Sequence, residues 1–228
     1  MIEFVFNKAA DLIKESRFDD AIDFLTAENN KPAFKNHPYI LLNFSSAYFF
    51  KKNYEKSLFY LNKILKKFPD DIVVLNNIAQ CYCLLKKFDL SIKYLKKTFD
   101  ILTDKSSLSL IKTMNIEKKD GYINVCDSSY SVIDVLDGLI NIFCQQYSFN
   151  YISNTLIPFT HENENDGSFL VYNDDANVYG YGLTLFDAFE DFFTCLIEMF
   201  DVLIEDKNKL APNLLKQYNY ISKFLQKQ

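Results

Sequence analysis

Residues 38–71, PYILLNFSSAYFFKKNYEKSLFYLNKILKKFPDD, are echoed by residues 72–105, IVVLNNIAQCYCLLKKFDLSIKYLKKTFDILTDK, at a period of 34. Leu41/Leu75, Phe44/Ile78, Ser45/Ala79, Tyr48/Tyr82, Tyr54/Phe88, Ser57/Ser91 and Leu61/Leu95 coincide. The pattern constrains the chain strongly because two antiparallel helices approach closely only where a side chain is small. Ser45 and Ser57, then Ala79 and Ser91, supply that crossing, and the large residues at helical spacing fill the space around it. Turns fall at residues 51–53 and 86–87, and Pro69 stands just beyond a helix end. An earlier copy over residues 2–35 puts Ala9, Leu12, Phe18, Ala21 and Leu25 in corresponding slots, with Asn36 and His37 as two extra residues before the next unit. Three units also meet a physical requirement, since fewer leave too much apolar helix surface uncovered.

The arrangement of large, small and aromatic slots at this period resembles the tetratricopeptide repeat family. That resemblance implies an N-terminal α-α superhelix of three helical hairpins over residues 1–105, a non-enzymatic adaptor or scaffold that binds a protein or peptide partner on a concave wall. In that family the first helix of each pair lines the wall. By the resemblance Phe6, Asn7, Tyr39, Leu42, Asn43, Phe49, Phe50, Asn76, Asn77, Gln80 and Leu84 face inward, with Tyr39, Leu42, Phe49 and Phe50 as apolar anchors. Asn7, Asn43 and Asn77 share one slot in three repeats. An amide both donates and accepts, so such a row suits an extended peptide backbone, as in the asparagine ladders of some family members. The Lys and Arg set with which other members clamp a terminal carboxylate is missing.

Charge divides unevenly. Residues 1–105 carry 17 Lys+Arg against 13 Asp+Glu, and residues 106–228 carry 8 against 17. No Lys or Arg occurs between Asp120 and Asp206, so that stretch would meet nucleic-acid phosphate with carboxylates, and no nucleic-acid partner is expected. The cysteines, Cys81, Cys83, Cys126, Cys144 and Cys195, are odd in number and follow no disulfide framework; reduced thiols in a cytoplasmic protein are expected. Cys81 and Cys83, two apart on one helix, do not share a face and make a poor metal or redox pair. The opening MIEFVFNKAADLIKESRFDDA reads as an amphipathic helix rather than a secretory signal, and no apolar run reaches membrane-spanning length.

Beyond residue 105 the repeat is lost, and the pattern predicts a linker or capping helix over 106–119, then an acidic α+β domain over 120–228. Asp120-Gly121 marks a hairpin turn, and Ser128 or Ser129 caps a helix over 130–147. Strands are predicted over 155–160, 168–173 and 177–182, separated by turns at 161–167 and 174–176. Thr184 then caps a long apolar helix to 206, and Pro212 opens a last one over 213–226. The order α-β-β-β-α implies a small sheet covered by helices. This domain would either dock on the Lys-rich second helices (Lys63, Lys66, Lys67, Lys93, Lys96, Lys97) or offer a second contact surface; the helix over 184–206 is the candidate interface for a homo-oligomer.

Gly180-Tyr-Gly182-Leu183-Thr184 with Ala188 and Glu198 is similar to a segment of YcaO-type ATP-dependent cyclodehydratases, which activate peptide backbone amides. That resemblance implies an accessory nucleotide- or peptide-modification-related factor using the 180–184 turn. Cys195 stands where the family has another Glu and Met199 where it has Arg, so the implied factor is catalytically silent. The element order also resembles a double-stranded RNA-binding domain, but Leu185, Phe186 and Asp187 occupy the place of its Lys cluster. Loop 161–167, HENENDG, imitates the start of a calcium loop with Glu162, Glu164 and Asp166 before Gly167; the closing ligand would be Asn173, and a solvated hairpin turn is expected instead. His37 and His161 have no nucleophile motif beside them, and the acid pairs Asp187/Asp191 and Glu190/Asp201 read as a hydrated helix face. No catalytic residue, metal or cofactor is expected.

Overall fold

The computed structural model describes residues 2–105, 132–152 and 157–228. They form two compact units, and the division falls inside a helix, after Tyr94. The chain is α+β.

The first unit holds α1 (Ile2–Lys14), α2 (Phe18–Asn29), α3 (Pro38–Phe50), α4 (Tyr54–Leu65), α5 (Ile72–Leu84) and the start of α6 (Phe88–Lys105). The turns within the three pairs have one geometry. Ser16, Lys52 and Lys86 take φ of 60°, 60° and 58°. In each, the next residue's N–H (Arg17, Asn53, Lys87) donates to the carbonyl five residues back (Leu12, Tyr48, Tyr82) at 2.9 Å. This left-handed closure satisfies carbonyls that a helix end otherwise leaves open. Starts are capped too: Asn53 and Asp71 side chains accept from Lys56 and Val74 N–H at 3.1 Å each.

Along α3 and α4, Phe49 meets Tyr54, Ser45 meets Ser57 and Phe44 meets Tyr60, an order only antiparallel helices allow. The small slots are where the backbones cross. Ala9 and Ala21 are buried; the Ser45 and Ser57 hydroxyls lie 2.8 Å apart; Ser91 Oγ donates to the Ala79 carbonyl at 2.6 Å. Cys81 Sγ lies 3.4 Å from Ser57 Oγ, tying α5 to α4. Leu41, Leu58, Leu61, Ile64, Val74 and Ile78 fill one core cluster, each worth about 1.5–3 kcal/mol relative to exposure.

The second unit runs from Leu95 through α7 (Val132–Gln146), β1 (Phe149–Tyr151), β2 (Thr160–Asn163), β3 (Phe169–Asn173), β4 (Val178–Gly182), α8 (Leu185–Glu205), a 3-10 turn (Lys207–Lys209), α9 (Pro212–Ile221) and β5 (Leu225–Lys227). β2, β3 and β4 form an antiparallel meander, and β1 pairs antiparallel with β5 in a separate two-stranded ribbon. Thr184 caps α8, its Oγ1 accepting from Asp187 N–H at 3.2 Å. α8 packs on β3, β4, α7 and α9 and buries Phe186, Phe189, Phe192, Phe193, Leu196, Ile197 and Phe200. The apolar helix proposed as an oligomer interface therefore spends most of that face inside its own unit, with Val202 left exposed.

Several boundaries differ from the sequence pattern. The strand expected over 155–160 falls instead at Thr160–Asn163, its last three residues lying where the pattern predicts a turn, and 157–159 is irregular. The strand is polar on both faces, so no apolar alternation marks it. The last helix stops at Ile221, and Ser222–Phe224 turn into β5 rather than extending to 226. The segment 106–119, the hairpin at Asp120-Gly121, the caps Ser128 and Ser129, and Cys126 lie outside the described residues, as do 155 and 156.

Candidate functional site

The expected wall residues divide by exposure. On α1 and α3, Phe6 and Tyr39 stand with ring centroids 5.3 Å apart; Tyr39 is 51% exposed and Phe6 half-buried. Asn7 and Leu84 are exposed and Gln80 is half-buried. Leu42 and Phe49 pack against the cluster around Leu61, and Phe50 stacks on Phe18 at the hairpin turns. Asn43, Asn76 and Asn77 are buried. Asn43 Nδ2 donates to the Phe6 carbonyl at 3.0 Å, so this amide ties α3 to α1. The Oδ1 atoms of Asn43 and Asn77 are buried without a hydrogen-bond partner. The structure thus brings Phe6, Tyr39 and Asn43 together, and leaves Asn7 alone of the three same-slot amides on the surface.

Burial pushes the Cys81 and Cys83 thiols up to about 11 each, which keeps both protonated and poor nucleophiles or metal ligands at neutral pH.

Gly180 and Gly182 admit a close approach, and what approaches is the chain's own helix. A Cβ at Gly180 would stand 2.2 Å from Phe192 N and 2.4 Å from the Ala188 carbonyl oxygen; one at Gly182 would stand 2.4 Å from Ala188 N. The glycine face of β4 is filled by α8. At the strand's outer edge, Asp191 Oδ2 accepts the Tyr181 N–H at 2.9 Å. Glu198 accepts from Tyr147 Oη at 3.2 Å.

The acidic loop is likewise engaged. Asp166 accepts from Ser168 N–H and Oγ, and hydrogen bonding to that serine holds its carboxyl below the usual range. Glu162 lies on β2 and accepts from Tyr172 Oη at 2.9 Å. Asn173 is buried, donating to the Pro158 carbonyl at 2.6 Å and accepting from Ala176 N–H at 2.7 Å. Among the described residues no group of three or more His, Cys, Asp or Glu side chains is placed to hold a metal ion, and no helix is long and apolar enough to cross a membrane.

Asp187 carries the most defined electrostatics. Burial pushes its carboxyl up, but the ion pair with Lys96 and the hydrogen bond from Thr184 outweigh that and hold it below the usual range. A carboxyl whose folded value lies under its unfolded value, about 3.9, stabilises the fold above that pH and loses the contribution as pH falls through the folded value. The pair is about a third exposed on each side, so its worth is at most ~1 kcal/mol. Urea unfolding followed from about pH 6 down to about pH 3 should show this loss, and Asp187→Asn should flatten that part of the profile.

Sequence reasoning does not single out Tyr172, Tyr179 and Tyr181, which line the face of the sheet opposite α8. The available signal is alternation: Tyr179 and Tyr181 interleave with Gly180 and Gly182, so a strand packed through its glycines must turn its tyrosines outward. No protein-family model matches the chain, and no curated protein does.

Proposed function

We propose that this chain is a non-enzymatic interaction module whose first unit, a tetratricopeptide-like stack of three helix pairs, holds a peptide segment of a protein partner along its first helices. The observation that supports the reading is the Phe6–Tyr39 ring pair on adjacent first helices, open to solvent at Tyr39 beside the exposed Asn7. Rigid aromatic ledges of this kind anchor apolar side chains at low entropic cost. The ligand backbone is oriented by Asn7 and Gln80 rather than by a full ladder, because Asn43 is committed to the Phe6 carbonyl and Asn77 is buried. We assign the protein an adaptor or scaffold role in the cytoplasm.

Selection of random displayed peptides on the full chain tests this. Enriched peptides should share a large apolar anchor, and Tyr39→Ala should weaken them about tenfold, or ~1.4 kcal/mol. A selection that enriches nothing, or affinities indifferent to Tyr39→Ala, would overturn the reading.

A further inference from the structure

The outer face of the β2–β3–β4 sheet is a second surface, built quite differently. Register places Glu162, Leu170 and Tyr181 in one cross-strand row and Thr160, Tyr172 and Tyr179 in the next. The opposite face of β4 is closed against α8 through its glycines, so these tyrosines turn away from that helix. Tyr179 is 43% and Tyr181 59% exposed, and the adjoining Leu183 is 85% exposed. The Tyr172 and Tyr179 rings stack at 6.0 Å and 19°, and Tyr172 Oη is fixed to Glu162. The surface is therefore aromatic and ordered, with a carboxylate in it.

Its charge has one sign. Glu162 is the charged side chain of these two rows, and Asp174 and Asp175 occupy the turn between β3 and β4. A nucleic-acid strand or an acidic peptide would be repelled. A planar cation meets two complementary features at once: it lies flat on a tyrosine face and directs N–H donors at a neighbouring carboxylate. Strand addition along β4 is opposed because Asp191 already takes the Tyr181 N–H at that edge, which leaves the side-chain face as the contact.

We propose that this face docks an arginine-bearing peptide segment of a partner protein, with guanidinium groups stacked on Tyr179 and Tyr181 and hydrogen-bonded to Glu162. The assignment is independent of any ligand of the first unit.

The probe is a fluorescein-labelled peptide of alternating Arg and Gly, titrated into the full chain by anisotropy, with a Lys–Gly peptide of equal length and labelled oligouridylate alongside. Saturable binding of the Arg peptide is expected, tighter than the Lys peptide, and weakened at least about tenfold by Tyr179→Ala with Tyr181→Ala. Glu162→Gln should weaken it too, while Glu205→Gln, on α8, should not. All four side chains are exposed, so the variants should keep the parent melting temperature. In the unsubstituted chain, amide shifts on adding the Arg peptide should concentrate at 160–163, 169–173 and 178–183. The proposal is overturned by no binding, by equal affinity in the double tyrosine variant, by Arg and Lys peptides that bind alike and follow salt alone, or by shifts elsewhere. Oligouridylate binding that the double variant abolishes would give the face to single-stranded nucleic acid instead.

Discussion

Gly180→Val should unfold the second unit or leave it barely stable. The first added carbon would fall 2.2 Å from Phe192 N, 2.5 Å from Phe192 Cα and 2.4 Å from the Ala188 carbonyl oxygen. These are backbone atoms of α8, which cannot swing aside as a side-chain tip can. Relief requires the whole helix to lift from β4, separating Phe189, Phe192 and Phe193 from the core they fill. Overpacking in a core ordinarily costs about 1–3 kcal/mol; here the obstacle is backbone, so the upper end or beyond is expected, against a typical total of roughly 5–15 kcal/mol. The measurement is the urea midpoint, or loss of the amide spectrum of 132–228. Gly138→Ala on α7 is the control: its Cβ would meet the tip of the Leu95 side chain, Cδ1 at 3.4 Å and Cδ2 at 3.6 Å. It should be neutral or stabilising by up to ~1 kcal/mol, because alanine favours a helix interior over glycine. A Gly180 variant as stable as the Gly138 variant would contradict the packing described for β4 and α8.

Phe189→Ala should be nearly as damaging by the opposite route. Phe189 is fully buried, edge-on to Phe159 at 4.7 Å and within ring contact of Phe99 and Phe193. Its removal leaves a void bordered by aromatic rings that collapse poorly, and such truncations cost about 3–5 kcal/mol. Phe59→Ala on α4, where the ring is exposed and touched by the Lys63 ammonium and the edge of Tyr60, should stay within about 0.5 kcal/mol of the parent. The two substitutions delete the same atoms, so their difference in unfolding free energy measures burial alone.

The first unit was legible because its information is local and repeated. Ser45, Ser57, Ala79 and Ser91 lie at helix crossings, and a period of 34 residues can be read without knowing what any residue touches. Thr184 as a cap was legible for the same reason, the partner being three residues away. The β1–β5 ribbon was not: Phe149 pairs with Lys227 across most of the unit, and strands three residues long carry no alternation to detect. β2 escaped because THEN has the composition of a loop. Two glycines alternating along a strand mark a point of close approach, but sequence does not say what does the approaching. The amide slot shows a similar limit: spacing equates Asn7, Asn43 and Asn77, whereas burial separates them, since only tertiary packing turns Asn43 toward the Phe6 carbonyl.

The ribbon joining 149–151 to 225–227 sets an order of assembly during synthesis. Helix pairs built from neighbouring segments close quickly and can do so while the remainder is still on the ribosome. The second unit has to wait for its final strand to emerge, holding β1 and its Phe149 without their partner strand in the interval. Nascent chains stalled before residue 225 should therefore attract chaperones that recognise apolar segments, and release past 227 should discharge them.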